Sequence, residues 1–186
     1  MLDRSRDCYL AADGDELQGL AVVLPLHGCP VGFLEYLAVA PAARNAGIGA
    51  RILAYLRELT GTAQPGIEGI IFEVDRPEDA TDSSERDLRE RRIGFYQRNG
   101  AALLEAGRNY RAPASEGDGT LAYLLMWLPV TPGSAPPAGA RLKAYVTAMF
   151  IQSYELGGDT ALVRELVARV GGGITGLSDD GQITGH

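Results

Sequence analysis

The chain has 186 residues, 46% of them apolar and 22% charged, which is enough for one domain with a substantial buried core. A formal net charge of −7 argues against a nucleic-acid binder, because neutralising phosphates needs a basic face. The longest apolar run, Leu121 to Val130, is too short to span a bilayer. With Asp3, Arg4, Arg6, Asp7, Asp13, Asp15 and Glu16 in the first twenty residues, no secretory leader is expected. Cys8 and Cys29 are too few for a disulfide framework, so buried free thiols in a reducing cytoplasm are expected.

Cys8 to Ala12 reads as a short strand, turned at Asp13-Gly14-Asp15 into a partner from Leu17 to Leu26. His27-Gly28-Cys29-Pro30 interrupts the chain, and Val31 to Val39 is a third strand. Ile48, Ile52, Leu56 and Leu59 then recur on one helical face, and Thr60-Gly61 is the expected stop. Ile67 to Val74 reads as a fourth strand. Asp82, Ser83 and Ser84 offer caps for a helix running to about Arg98, with Ser84 and Asp87 spaced as a capping box. After Asn99-Gly100, Ala101 to Glu105 and Leu121 to Val130 read as the last strands, separated by a polar stretch holding Arg108, Tyr110, Pro113 and Gly117. Strands alternating with helices predict an α/β layered domain over residues 1–130.

Residues 131–140, TPGSAPPAGA, read as a connector. Residues 141–170 form a helical extension in which Leu142, Tyr145, Val146, Met149 and Phe150 make an apolar stripe, followed by Leu162, Leu166 and Val167 on a shorter helix. The stripe is expected to pack on the preceding domain or across a homodimer. Residues 171–186 are expected to be a disordered tail.

The most telling stretch is Arg44-Asn45-Ala46-Gly47-Ile48-Gly49-Ala50, set between the third strand and the first helix. The first amides of a helix lack internal partners and lie at the positive end of its dipole, so such a turn suits a diphosphate. The spacing is neither that of the dinucleotide fingerprint nor that of a Walker loop, which ends in Gly-Lys-Ser/Thr. Leu37 to Gly49 instead resembles, without a gap, the Arg/Gln-x-x-Gly-x-Gly/Ala signature of the GNAT superfamily of N-acetyltransferases. Arg92-Ile93-Gly94-Phe95-Tyr96-Gln97-Arg98-Asn99-Gly100-Ala101 resembles that superfamily's second signature.

The resemblance implies a mixed, mostly antiparallel central sheet flanked by helices, acetyl-CoA as co-substrate, and an amine-bearing acceptor, small molecule or protein. It implies that Arg44, Asn45, Ala46, Gly47, Ile48, Gly49 and Ala50 cradle the pyrophosphate. Leu37, Ala38 and Val39 would offer backbone groups to pantetheine on a splayed strand. Tyr96 would be the general acid: a departing thiolate with a conjugate acid near ~8.5 can take a proton from a phenol of about 10. Glu73, at the end of the fourth strand, is the general-base candidate, with Glu35 as its rival. Neither residue type nor spacing suggests a metal site, and His27 and His186 lack partners for a triad. Arg86, Arg89, Arg91 and Arg92 read as a solvated face, from which Arg92 could reach Tyr96.

One departure stands out. Members of the superfamily have a strand and two helices ahead of the hairpin that begins here at Cys8, and these wall the acceptor pocket. Either the chain begins late, or the segment from Arg141 onward supplies that wall, or a second subunit does. The expected activity is acetyl transfer from acetyl-CoA to a primary amine by direct attack on the thioester; the alternative is an acyl-CoA-binding sensor without turnover.

Overall fold

The computed structural model describes residues 5–63, 66–114, 119–131 and 133–171, with residues 59–63 described in their backbone alone. Of the expected tail over 171–186, residues 172–186, with His186, lie outside them, as do Gly117 and Pro132, whereas Gly171 donates its amide to the Ala106 carbonyl at 2.8 Å. A seven-stranded sheet runs in the order β1-β2-β3-β4-β7-β5, with β6 paired to β7. The strands are β1 (Asp7–Asp13), β2 (Glu16–Pro25), β3 (Val31–Val39), β4 (Gly69–Asp75), β5 (Ala102–Leu103), β6 (Arg111–Pro113) and β7 (Thr120–Pro129). All the pairings are antiparallel except β3 with β4.

Helices α1 (Ile48–Ala63) and α2 (Ser83–Arg98) cover one face of the sheet, and α3 (Gly139–Gln152) and α4 (Ala161–Ala168) the other. β4 is buried on both sides. Ile70, Phe72 and Val74 join Ile52, Leu53 and Leu56 of α1 and Ile93 and Tyr96 of α2, whereas Ile71 joins Leu142, Val146, Met149 and Phe150 of α3. Two-sided burial explains why this strand reads as a nearly continuous apolar run. The stripe of the C-terminal segment is thus spent inside the molecule: Leu142, Tyr145, Val146, Met149 and Phe150 are each at most 3% exposed. Each large apolar side chain so buried contributes roughly 1.5–3 kcal/mol.

Several local expectations need correction. α1 passes through Gly61 to Ala63, since a glycine inside a helix costs only ~1 kcal/mol relative to alanine. α2 is capped by Asp82, whose side chain accepts from the Glu85 amide at 2.8 Å, and not by Ser84 with Asp87. Glu85 reaches back to the Thr81 amide at 2.8 Å, so the reciprocal pair lies two residues earlier than the spacing suggested. β5 is two residues long because the chain folds at once into a 3₁₀ turn over Glu105–Gly107. The polar stretch contains β6, too short for its alternation to be read. Cys8 is exposed and Cys29 half-buried, both as free thiols.

Two features of β3 shape the cavities on either side of the sheet. Its parallel ladder with β4 covers only Val31, Gly32 and Phe33, paired with Gly69, Ile70 and Ile71. Beyond that the strands part, while β3 stays paired to β2 as far as Val39 and β4 to β7 as far as Asp75. The β2 ladder also shifts register: Val22 faces Tyr36 and Val23 faces Leu34, leaving Glu35 as an extra, bulged residue.

Candidate active site

On the α1/α2 face, the loop from β3 to α1 enters the left-handed region at Asn45 (φ 66°) and Gly47 (φ 77°). Such a φ is costly for any residue with a Cβ, which is the reason for glycine at 47. Arg51 donates its amide to the Gly47 carbonyl at 3.0 Å and so closes the first helical bond, leaving the amides of Ile48, Gly49 and Ala50 without intrahelical acceptors. Gly49 has a different reason. A Cβ there would lie 3.0 Å from the ring of Phe95, so this glycine lets α2 press against the helix start.

Asn45, Gly47, Ile48, Gly49 and Ala50 line a cavity of about 480 Å³ together with Leu37, Val39, Arg92, Phe95, Tyr96 and Asn99. Both sequence signatures therefore meet at one place. Tyr96 is 8% exposed, its ring 4.6 Å from that of Phe72 and 5.2 Å from that of Phe95. Burial pushes its phenol upward, and the nearby Arg92 charge pulls it partly back. Arg92 pairs with Asp75 at 2.8 Å, and Arg89 donates to the Arg76 carbonyl at 2.6 Å. Two of the four arginines read as a solvated face are therefore tied to the end of β4 and the turn after it.

On the other face lies a second cavity of about 420 Å³, whose lining includes Glu35 and Tyr36 of β3, Glu73 of β4, Tyr123 of β7 and Ser153 and Tyr154 from the turn after α3. The two carboxylate candidates thus share one cavity but differ in their partners. Glu35 is neutralised: Arg6 holds it through two contacts of 2.6 and 3.0 Å, and Ser153 donates to it at 2.5 Å. Glu73 has no cationic partner among the described residues. Tyr110 donates to its Oε1, and the Tyr154 hydroxyl lies 2.9 Å from Oε1 and 2.7 Å from Oε2. Burial raises the Glu73 carboxyl above the usual range, and the two tyrosine donors oppose that rise.

The tyrosines are themselves locked. The Phe150 ring stacks on Tyr110 at 5.9 Å and meets Tyr154 edge-on at 5.9 Å. Gln152 anchors the end of α3 by accepting from the His27 amide at 2.8 Å and donating to the His27 carbonyl at 3.1 Å. A left-handed residue at Glu155 and a bond from the Leu156 amide to the Phe150 carbonyl then close the exit. His27 serves through its backbone. Sequence reasoning missed Arg6, Tyr110, Tyr123, Ser153 and Tyr154, because their only signal was an acidic residue in an otherwise apolar strand.

Among the described residues, no cluster of three or more His, Cys, Asp or Glu is arranged to hold a metal, and no helix is long and apolar enough to cross a membrane. A mixed sheet whose central parallel pair parts beside a glycine-opened helix is the α/β arrangement that the resemblance implied. The profile of the GNAT acetyltransferase domain matches residues 4–100, just over half the chain, so the protein belongs to the GNAT acetyltransferases. Among solved structures, a protein from Bacteroides thetaiotaomicron assigned to the same family is similar, with 26% identity and a TM-score of 0.61 over 81% of this chain and 73% of that one. An aminoglycoside 6'-N-acetyltransferase solved with coenzyme A shares the fold, with 24% identity and a TM-score of 0.51 over 72% of this chain and 77% of that one. No curated protein matches in sequence.

Proposed function

We propose that this acetyltransferase takes its acetyl group from acetyl-CoA and passes it to a primary amine by direct attack on the thioester. One observation carries this reading: the open seam between β3 and β4 lies between an anion cradle on one face and a carboxylate without a cation on the other. The cradle fits a pyrophosphate in chemistry, with three unpartnered helix amides and a left-handed glycine. Arg44, Asn45, Ala46, Gly47, Ile48, Gly49 and Ala50 would hold that group. Leu37, Ala38 and Val39 lie where β3 has lost its β4 partner, so their free edge can bond pantetheine. Bound there, the co-substrate supplies the thioester carbonyl.

Glu73 takes a proton from the acceptor, which as an ammonium of about 10.4 could not otherwise attack at neutral pH. An amide on the free edge of β3 stabilises negative charge on the carbonyl oxygen. Tyr96, on the cradle face, returns a proton to the departing sulfur. Glu73 outranks Glu35 because Arg6 already compensates the latter. The aromatic and acidic lining of the second cavity favours a cationic acceptor. The test is release of free thiol from acetyl-CoA across a panel of amines, alongside a binding titration with CoA. Amine-dependent thiol release is expected; binding without it would mark a sensor instead.

A further inference from the structure

We propose that Tyr154 is a catalytic proton relay, its hydroxyl meeting the acceptor's ammonium in the second cavity and handing the proton to Glu73. The inference rests on the acyltransferase reading above but concerns a residue in the C-terminal segment, outside both signatures. Three observations carry it. The Tyr154 hydroxyl bridges both oxygens of Glu73, at 2.9 and 2.7 Å, so it contacts the whole carboxylate and not one oxygen of it. Tyr154 lines the cavity, whereas the other donor, Tyr110, is 0% exposed and does not. The chain also invests heavily in fixing Tyr154, with Phe150 against its ring, Gln152 anchoring the helix end and a left-handed Glu155 closing the turn.

A phenol that donates its hydrogen to a carboxylate keeps two lone pairs for accepting, and the donation makes its oxygen a better acceptor. The transfer balances in one concerted step. An ammonium N–H bond breaks as its proton joins the Tyr154 oxygen, and the Tyr154 O–H bond breaks as that proton joins Glu73. The products are a neutral amine, an unchanged tyrosine and a protonated Glu73. No charged tyrosine accumulates, which suits a phenol that burial and the Glu73 charge push far above its usual value. The titratable groups facing Glu73 are Tyr110 from the turn before β6, Tyr154 from the turn after α3 and Tyr123 of β7, with Glu35 and Arg6 completing the charged lining.

The experiment compares Tyr154→Phe with Tyr110→Phe in amine-dependent thiol release from acetyl-CoA across pH. Each variant removes one donor from Glu73, so each should move the acidic limb of kcat/KM to higher pH. Only loss of the relay should also depress the plateau above that limb and below the acceptor's own ammonium pKa, by about a hundredfold for Tyr154→Phe and much less for Tyr110→Phe. CoA affinity should hold in both. A Tyr154→Phe enzyme that reaches the wild-type plateau, or a Tyr110→Phe enzyme that falls as far, would overturn the relay while leaving the acyltransferase reading intact. Absence of amine-dependent release by the wild-type protein would overturn both. Should Tyr154→Phe not fold, 3,5-difluorotyrosine at position 154 keeps ring and hydroxyl but lowers the phenol's pKa; an unaltered pH profile would then count against the relay.

Discussion

The two faces of the sheet are built by different means. The α1/α2 face presents a cavity made of nearly contiguous sequence, Ala43 to Asn45 and Gly47 to Ala50 from one loop and helix start and Arg92, Phe95, Tyr96 and Asn99 from one helix, and the first amides of α1 there have no intrahelical acceptor. The α3/α4 face presents side chains from Arg6, Glu35, Glu73, Tyr123, Ser153 and Tyr154, brought together only by the finished fold. A group common to every acyl-CoA can be met by main-chain amides that any sequence supplies, given glycine where the chain must turn left. An acceptor that differs from one enzyme to the next has to be met by side chains.

This contrast can be broken first at Glu73. Glu73→Gln should lower amine-dependent thiol release by about 10²–10⁴-fold and leave CoA affinity unchanged. Loss of CoA binding would mean the faces are not separable. The same variant should gain stability relative to wild type as pH rises. The folded carboxyl lies above its ordinary value of about 4.5, so above that pH the unfolded chain releases a proton that the folded protein retains. The difference grows until pH passes the folded value and is constant beyond it; thermal melts from pH 4 upward check the sign. Next, Phe150→Ala should cost about 3–5 kcal/mol in denaturant unfolding and impair the acceptor side more than CoA binding, since Phe150 packs against both tyrosines of Glu73.

On the cradle face, Tyr96→Phe should slow the chemical step by about a hundredfold with little change in CoA affinity, since in the proposed role its hydroxyl acts only as charge builds on sulfur. Wild-type single-turnover rates at every pH would reduce Tyr96 to a packing residue. The smallest effect is expected at Gly47. A Cβ there meets nothing within 4 Å, so Gly47→Ala tests the left-handed φ alone and should cost about 1–2 kcal/mol, felt as a roughly tenfold weaker CoA titration. Gly49→Val is the less clean probe, because it also collides with Phe95.

The same contrast explains what was legible in the sequence. The cradle could be read because its determinants are local: a strand, two glycines at fixed offsets and an aromatic pair on a helix. The order and approximate span of β1 to β4 came from apolar runs broken at turns, α1 from apolar spacing and α2 from its capping residues. Glu73 could be singled out as a charge in an apolar strand, but nothing local distinguished it from Glu35. That distinction comes from Arg6 and Ser153 on one side and from Tyr110 and Tyr154 on the other, separated in sequence from their carboxylates by 29, 118, 37 and 81 positions. The apolar stripe of α3 was legible, but its destination was not, because amphipathicity says that a face is covered and not by what. Of the three sources weighed for the acceptor wall, the segment after Arg141 does supply Ser153 and Tyr154 to the cavity.

The extra residue at Glu35 has a geometric consequence for how the acceptor side can vary. In plain alternation a strand sends every second side chain to a given cavity, so Phe33 and Glu35 would be succeeded there by Leu37. With the bulge, Glu35 and Tyr36 both line the second cavity, and Leu37 and Val39 fall in phase with the cradle. Removing that one residue would restore simple parity while leaving Leu37 and Val39 on their present side. A single-codon change in length could therefore remodel the proposed acceptor cavity and spare the proposed cofactor groove, which would give this scaffold a route to new acceptors independent of substitution.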